Sequence, residues 1–484
     1  MKLTDLVGPG ASLAGTAGET GITGLTADSR EVKPGYLFAA LPGTAMDGAD
    51  FIPQAIANGA AALLLPAESP AARSASLPVI EASDPRRALA LAAARFYPAQ
   101  PGVIAAVTGT NGKTSVVSFV RQIWHALGHA AASMGTVGLE TPTGPRILHH
   151  TTPDPVGLHE ALNELAGEGV THLALEASSH GLQQRRLDGV RLSAAAFTNM
   201  SRDHLDYHAG FADYQAQKMR LFAEILPAGA PVVVDRDQLG SDAVLDVAKA
   251  RSLPIFSVGR TGTLLTLAGV EREGDGQRLA IVADGKTHDI VLPLAGAFQS
   301  ANALVAAGLC IACGASAGEV IPLLASLKGA PGRLERAGAT AAGAPIFVDY
   351  AHTPDALATA LDALRPYAPG RLLVVFGCGG DRDRGKRPQM GKIAAKHADV
   401  VYVTDDNPRN EEPGSIRADI LSAAGGATEI GDRRAAIAEA IRALKSGDLL
   451  LVAGKGHETG QRVGEEVIPF SDHAVIAEIL AQKE

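Results

Sequence analysis

Short apolar runs bounded by glycine and proline alternate with longer segments of helical period along most of the 484-residue chain. Such alternation is typical of βαβ units and predicts a mostly parallel sheet. The predicted early elements are strands at 36–41 and 61–65, with a helix at 52–59. A second set of apolar strands lies at 103–107, 170–175, 194–198 and 231–234. Residues 264–292 alternate in the manner of antiparallel strands.

The last third of the chain repeats this alternation after a glycine-rich boundary at 329–332. Its predicted strands lie at 346–348, 372–376, 400–403 and 449–452. Together with a linker at 98–102, Pro-Ala-Gln-Pro-Gly, this pattern divides the chain into residues 1–99, 100–331 and 332–484. The predicted fold class is α/β with three domains. The central domain has a P-loop-type, mostly parallel sheet, and the C-terminal domain is doubly wound.

A glycine turn joins the apolar strand at 103–107 to a helical pattern that starts at residue 115. It comprises Gly109, Thr110, Asn111, Gly112, Lys113, Thr114 and Ser115. Backbone N–H groups at such a turn and the helix dipole favour a bound anion. The Lys113 cation suits outer phosphates and the Thr114 hydroxyl suits a metal ion, so the turn predicts a phosphate site for ATP.

Composition narrows the class of protein. A net charge of −9 argues against a nucleic-acid surface. The sequence contains no run of about 18 apolar residues, so no membrane span is predicted. The first residues also lack the apolar core of a signal peptide. We therefore expect a cytoplasmic protein. A monomer is a separate expectation, which the composition does not decide. Cys310 and Cys313 form a C-x-x-C, but their Ala/Leu/Ile-rich surroundings favour buried core residues over redox chemistry.

Further candidate chemistry follows the next two strands of the central domain. Glu176 lies at a strand end, where a carboxylate beside the phosphate turn would suit Mg²⁺. Ser178 and His180 also allow a hydrolase reading, although no Gly-x-Ser-x-Gly elbow is present. The loop at 199–208 carries many ionisable side chains. It is either part of the site or a solvated loop whose aspartates cap a helix. Lys218, taken alone, predicts a solvent-facing helical lysine.

Three strand ends of the last domain carry mixed charges. They are residues 377–387, residues 405–409 and residues 454–458. Arginine pairs with carboxylates in a bidentate manner, whereas Asp and Glu pair with an ammonium group. One crevice lined by all three loops would therefore suit a zwitterionic substrate.

These motifs together resemble those of the ATP-dependent Mur ligases of bacterial peptidoglycan synthesis, and the resemblance runs through all three domains. The segments that carry it are 108–114, 176–180, 201–208, Lys218, Asn302, Arg333, 349–352 and 454–458. The sequence Asp406-Asn407-Pro408-Arg409 resembles that of the members that add meso-diaminopimelate. A second carboxylate at the far end of that amino acid would favour Arg409, which would repel the ammonium group of lysine.

The resemblance implies a role for each matching residue. The first domain would bind the UDP-sugar, the central one ATP and the last one the amino acid. The implied nucleotide-sugar and dipeptide contacts are Ser29, Thr44, Thr151, Thr152, Ser178, Gln184 and Arg186. The implied metal-site residues are Thr114, Glu176, His204 and a carbamylated Lys218, with Mg²⁺ as the metal. Adenosine contacts would be Asn302, Arg333 and Asp349, and diaminopimelate contacts would be Arg382, Asp406, Asn407, Pro408, Arg409, Gly454 and Glu458.

The implied reaction is the amide ligation of meso-diaminopimelate to UDP-N-acetylmuramoyl-L-Ala-D-Glu through an acyl phosphate, with Lys113, Glu176, His204 and Lys218 as the catalytic set. Two alternatives remain at this point. A folylpolyglutamate synthase would need a pterin site, against which Asp28-Ser29-Arg30 in a complete first domain argues. A P-loop ATPase acting as a motor or switch would leave the Asp406–Arg409 cluster unexplained.

Overall fold

The computed structural model describes residues 1–14, 17–43, 46–148, 150–201, 208 and 210–482. The chain divides into two compact units. The first comprises Met1–Thr266 and Leu304–Val320, and the second comprises Leu267–Ala303 and Ile321–Glu484. The predicted boundaries at 99 and 331 differ from this division, and the three-domain assignment remains a prediction.

The first segment of unit one forms a five-stranded sheet in the order β1-β5-β4-β3-β2. Its elements are α1 (Leu3–Leu6), β1 (Ala11–Ala14), β2 (Gly24–Thr26), β3 (Tyr36–Ala39), α2 (Ile52–Ala57), β4 (Ala62–Pro66), α3 (Pro70–Ser74), β5 (Val79–Ala82) and α4 (Pro85–Phe96). Helix α2 ends two residues earlier than predicted, because Gly59 adopts a positive φ of 96° that ends helices readily.

The rest of unit one is built on a larger, mostly parallel sheet. Its elements are β6 (Val103–Thr108), α5 (Lys113–Ala126), β7 (Ala131–Gly135), β8 (Gly138–Thr141), β9 (Gly144–Arg146), α6 (Pro155–Gly167), β10 (His172–Glu176), α7 (Ser179–Gln183), β11 (Ala194–Phe197), α8 (Phe211–Arg220), β12 (Val232–Asp235), α9 (Ser241–Ala250) and β13 (Ile255–Gly259). The parallel strands run β13-β12-β11-β6-β10-β7 across the sheet. Most of their side chains are buried and apolar, as in strands covered on both faces.

Three strands and two helices follow. They are β14 (Leu265–Glu273), β15 (Gly276–Ala283), β16 (Lys286–Leu292), α10 (Ala297–Ala312) and α11 (Ala317–Leu323). Strands β15 and β16 pair in antiparallel fashion, as the alternation predicted. Cys310 is buried in α10, and burial raises the pKa of the Cys313 thiol to about 12. Both observations agree with a packing role for the C-x-x-C.

The last part of unit two is a six-stranded sheet in the order β17-β18-β22-β19-β20-β21. Its elements are β17 (Glu335–Ala339), β18 (Pro345–Asp349), α12 (Pro354–Leu364), β19 (Leu372–Phe376), α13 (Lys386–His397), β20 (Val400–Val403), α14 (Pro413–Leu421), β21 (Thr428–Glu429), α15 (Arg433–Ala443), β22 (Leu449–Ala453), β23 (Gly460–Val463), β24 (Glu466–Pro469) and α16 (Asp472–Ala481).

Helices cover both faces of this sheet, which confirms the doubly wound fold. Leu357 and Met390 belong to one hydrophobic cluster, together with alternate strand residues such as Val374. Ile437 and Ile476 belong to the other, together with the intervening strand residues. Side chains alternate between the faces of a strand, so each strand supplies both clusters.

Candidate active site

The carboxyl end of β6 lies between those of β10 and β11. In the parallel register Glu176 is opposite Val107, and Phe197 is opposite Thr108. The Thr108 hydroxyl donates to the carbonyl of Ala177 at 2.8 Å. The residues that follow these three strands are therefore brought to one edge of the sheet, where ligands of α/β proteins bind.

The glycine turn has the backbone of a phosphate cradle. Gly109 and Gly112 have φ values of 141° and 87°, which glycine adopts without the strain of a side chain. A Cβ at Gly109 would collide with the Thr198 hydroxyl. Because Gly112 turns the chain so sharply, α5 begins at Lys113, two residues before the predicted start. The Lys113 ammonium folds back over the turn and donates to the Gly109 carbonyl at 3.0 Å.

The Glu176 side chain is buried and bonded to this turn. One carboxylate oxygen accepts from the Thr114 hydroxyl at 2.9 Å and from the Thr136 N–H at 2.8 Å. The other accepts from the Thr136 hydroxyl at 3.2 Å. Gly135 permits this approach, since a Cβ there would overlap the carboxylate. A strand-end acid is thus held against the predicted metal-binding threonine.

Lys218 is 1% exposed, so the prediction that it would face solvent if taken alone is wrong. Its ammonium donates to the Gly109 carbonyl at 2.8 Å and lies 4.5 Å from the centroid of the Tyr214 ring. The Tyr214 hydroxyl is 3.0 Å from that of Thr110. Helix α8 therefore contacts the phosphate turn through two side chains, one helical turn apart.

Four of the predicted dipeptide contacts lie together beside Glu176. The Thr152 hydroxyl donates to the Glu176 carbonyl at 2.9 Å and lies 3.0 Å from the Ser178 hydroxyl. Arg186 donates to the Thr152 carbonyl at 2.6 Å and to the Gln184 side chain at 2.7 Å. Ser178 caps α7 by accepting from the Gly181 N–H, so its hydroxyl has a structural task that a nucleophile would not need.

Thr151 joins the same group through Thr136, whose hydroxyl is 3.2 Å from its own. Ser29, in contrast, lies in the first segment, where its hydroxyl donates to Gln54 at 2.8 Å and is buried. Thr44 and His204, the remaining predicted residues of unit one, fall outside the described residues.

A ring of five ion pairs, closed by one backbone hydrogen bond, joins the start of α4 to the loop after α7, to the end of α8 and to the π-helical turn Leu221–Ile225 that follows α8. We call it the ionic ring; its members in order are Asp84, Arg185, Glu224, Arg220, Asp188 and Arg87. The five side-chain contacts are 2.6–3.2 Å long. The backbone N–H of Arg87 closes the ring by donating to the Asp84 carboxylate at 3.0 Å. Arg185 has a φ of 60°, so its two ion pairs stabilise a backbone shape that favours glycine. Gln184 and Arg186 flank it.

In unit two, the predicted adenosine contacts are neighbours. The Asn302 amide donates to Gln299 at 3.1 Å, and Gln299 donates to the Arg333 carbonyl at 3.3 Å. The Arg333 guanidinium lies 5.2 Å from the Tyr350 ring centroid. Asp349 accepts from the Leu334 N–H at 2.7 Å, and burial raises the pKa of its carboxyl against the opposing effect of Arg333.

The glycine-rich loop after β19 and the loop after β20 pack backbone to backbone. A Cβ at Gly377 would strike the Thr404 carbonyl, and one at Gly380 would strike that of Pro408. Arg409 donates from its guanidinium to the Gly380 carbonyl at 2.8 Å. It has a φ of 50° and is half-buried. These contacts bring two of the three charged loops together, as the zwitterion hypothesis requires.

The third charged loop, after β22, contacts the second. An ideal Cβ on Gly454 would lie 2.7 Å from an Asp406 carboxylate oxygen, and Asn407 donates to Glu458 at 2.9 Å. Arg382 is exposed. Burial raises the pKa of the nearby Tyr350; the Glu458 charge adds to this effect, while Arg333 and Arg382 oppose it.

Sequence reasoning missed Thr136, Tyr214 and Lys455. Thr136 follows a buried strand directly, where a hydroxyl residue could have suggested a site. Tyr214 precedes Lys218 by four residues, which places both on one helix face. Lys455 lies inside the predicted 454–458 motif, but only the fold shows that it is completely buried.

Among the described residues, no group of three or more His, Cys, Asp and Glu side chains has a metal-binding arrangement. No helix in this part of the chain combines the length and apolar character needed to cross a bilayer.

Comparison with known proteins identifies the class. Three family models match in order along the chain: the Mur ligase family catalytic domain at 21–97, the Mur ligase middle domain at 107–310 and the Mur ligase glutamate ligase domain at 332–456. The chain belongs to the Mur ligase family.

Individual relatives cover its whole length. It is 57% identical, over 100% of both chains, to a UDP-N-acetylmuramoyl-L-alanyl-D-glutamate–2,6-diaminopimelate ligase of Bradyrhizobium diazoefficiens. A solved structure with that ligase name shares 31% identity, with a TM-score of 0.74 over 100% of this chain and 99% of the other. A folylpolyglutamate synthase of Mycobacterium tuberculosis shares 19% identity, with a TM-score of 0.61 over 76% of this chain and 92% of the other, which is a likeness of fold alone.

Proposed function

We propose that this chain is an ATP-dependent ligase that joins meso-2,6-diaminopimelate to the D-glutamyl carboxylate of UDP-N-acetylmuramoyl-L-Ala-D-Glu, in cytoplasmic peptidoglycan precursor synthesis. The observation that carries the proposal is the glycine turn with Glu176 bonded to Thr114 at its edge. That site lies in a chain whose end-to-end relatives are named as this ligase. The 1–99, 100–331 and 332–484 segments would serve the UDP-sugar, ATP and the amino acid.

The turn amides and Lys113 neutralise charge on the transferring phosphoryl group, which is the main task of a protein in such chemistry. The D-glutamyl carboxylate attacks the γ-phosphorus of ATP, so that ADP leaves and an acyl phosphate forms. The diaminopimelate amine then attacks the acyl carbon, loses a proton and displaces phosphate to give the amide. Thr151, Thr152, Ser178, Gln184 and Arg186 would orient the dipeptide. Because the protein supplies no covalent partner, positioning provides most of the rate.

The residues at the turn fit Mg²⁺, because the Glu176 carboxylate and the Thr114 hydroxyl are the hard oxygen ligands that it prefers. Mg²⁺ would be held by these two residues, with His204 and a carbamylated Lys218 completing the set; when bound, it would add positive charge beside the phosphates. A carbamate on Lys218 would keep one N–H to donate to the Gly109 carbonyl, so the present contact is compatible with it.

Charge supports the choice of amino acid. Arg382 and Arg409 would pair with its carboxylates, while Asp406 and Glu458 would pair with an ammonium group. Asn407, Pro408 and Gly454 would shape the pocket. Ser29 and Thr44 would contact the uridine nucleotide, and Asn302, Arg333 and Asp349 the adenosine.

The test is phosphate release and product mass with ATP, Mg²⁺ and the nucleotide dipeptide, comparing meso-diaminopimelate with L-lysine. We expect turnover with diaminopimelate. Turnover mainly with lysine would support the ligase activity but contradict the proposal that Arg409 selects diaminopimelate. Release that is indifferent to either amino acid would favour the plain ATPase, and activity only with a folate and glutamate would favour the folylpolyglutamate synthase.

A further inference from the structure

The Lys455 side chain is 0% exposed although it carries an ammonium group. Its Nζ donates to Asn407 Oδ1 at 3.1 Å and to Glu458 Oε2 at 2.9 Å. Buried ammonium groups are paired because desolvation strongly disfavours a lone charge. Lys455 is therefore tied to two residues of the proposed amino-acid pocket while it is itself out of reach of a substrate.

The Asn407 amide is largely occupied by the protein. Its oxygen accepts from Lys455 and from the Arg462 N–H, the latter at 2.9 Å. An amide oxygen has two lone pairs, so its acceptor capacity is used. Its nitrogen donates to Glu458 Oε2 at 2.9 Å. Asn407 thus links the loop after β20 both to Glu458 and to strand β23.

Both contacts to Glu458 fall on the same oxygen. Oε2 receives Lys455 Nζ and Asn407 Nδ2, whereas no hydrogen bond to Oε1 exists within the described part of the chain. The side chain is 32% exposed. Oε2 is therefore held by two protein donors, while Oε1, on the same partly exposed side chain, receives none from the described residues.

We propose that Lys455 is a positioning residue for amino-acid selection: by holding Glu458 Oε2, it presents Oε1 to an ammonium group of the incoming diamino acid. This inference rests on the proposed ligase function. Because Lys455 is fully buried, it acts on amino-acid binding through the two side chains that it contacts, Asn407 and Glu458, and Glu458 is the one whose charge would meet the ammonium group.

The experiment is a double-mutant cycle with Lys455→Met, Glu458→Gln and the double variant. KM and kcat are measured separately for meso-diaminopimelate, ATP and the nucleotide dipeptide. We expect Lys455→Met to raise the KM for diaminopimelate about 10- to 100-fold, the effect of losing a hydrogen bond to a charged group. The KM for ATP should stay within about twofold, and in the Glu458→Gln background the lysine replacement should add less than about twofold. Lys396→Met, at an exposed position of α13, is the matched control.

An unchanged KM for diaminopimelate in Lys455→Met would overturn the proposal. So would an equal effect of the lysine replacement with and without Glu458. If Lys455→Met does not fold, Lys455→Gln, which keeps a donor but no charge, is carried through the same cycle with the same two criteria. A wild-type protein without amino-acid-dependent phosphate release would instead refute the ligase itself, before any variant is compared.

Discussion

Two contacts of the ionic ring should contribute very differently to the free energy of unfolding. Asp188 and Arg220 have side chains only 8% and 6% exposed, whereas Arg87, which pairs with the other oxygen of Asp188, is 45% exposed. Removing one partner of a buried pair costs about 3–5 kcal/mol because the other charge is left without compensation. An exposed pair contributes about 0–1 kcal/mol.

Asp188→Ala should therefore destabilise the protein by about 3 kcal/mol, the lower end of the buried-pair range, since Arg220 retains Glu224 and the Leu182 carbonyl. Arg87→Ala should cost less than about 1 kcal/mol. The chain has one tryptophan, Trp124, which is buried in α5 within the same compact unit as the ring. Its fluorescence during urea unfolding reports on that unit. Equal losses in the two variants would refute the assignment of the energy to the buried contact.

Other predictions concern the site and the pH dependence of stability. Glu176→Gln should lower kcat about 100-fold or more by removing charge beside the phosphate turn; unchanged kcat with an intact circular-dichroism spectrum would contradict its role. Lys218→Ala should lose activity that added short carboxylates partly restore, and failure of every carboxylate tried would count against the carbamate. Arg409→Asn, which tolerates the positive φ, should raise the KM for diaminopimelate about 10-fold or more and leave the KM for ATP unchanged. The hydrogen bond to Glu335 raises the pKa of His473, so its stabilisation is complete at acidic pH and is lost as pH rises through the folded-state pKa. Calorimetry should find His473→Gln more destabilising at pH 5.5 than at pH 8.5, and the reverse order would refute this sign.

Local pattern was sufficient for the strands and for the phosphate turn, because both are written in contiguous residues. The strand predicted at 372–376 matches β19, and the alternation at 264–292 matches antiparallel β15 and β16. Boundaries shifted by one or two residues where a left-handed glycine, such as Gly112, decides where a helix starts.

Tertiary partners were not predictable in the same way. Lys455 and Asn407 are 48 positions apart, and Arg185 and Asp84 are 101 apart. No periodicity indicates which charged residue meets which across such distances. For residues far apart in sequence, the resemblance to Mur ligases supplied the expected roles. The structure supplied the contacts that Thr136, Tyr214 and Lys455 make.

The position of β6 between β10 and β11 has a consequence for co-translational folding. Thr108 at the end of β6 bonds to Ala177, 69 positions later, so the phosphate turn cannot gain its first flanking strand until those residues have been made. At about 5–20 residues per second, an apolar β6 waits roughly 3–14 s without a partner. During that interval the chain is open to aggregation and to holdase chaperones, and slowed translation through residues 109–176 would lengthen the exposure.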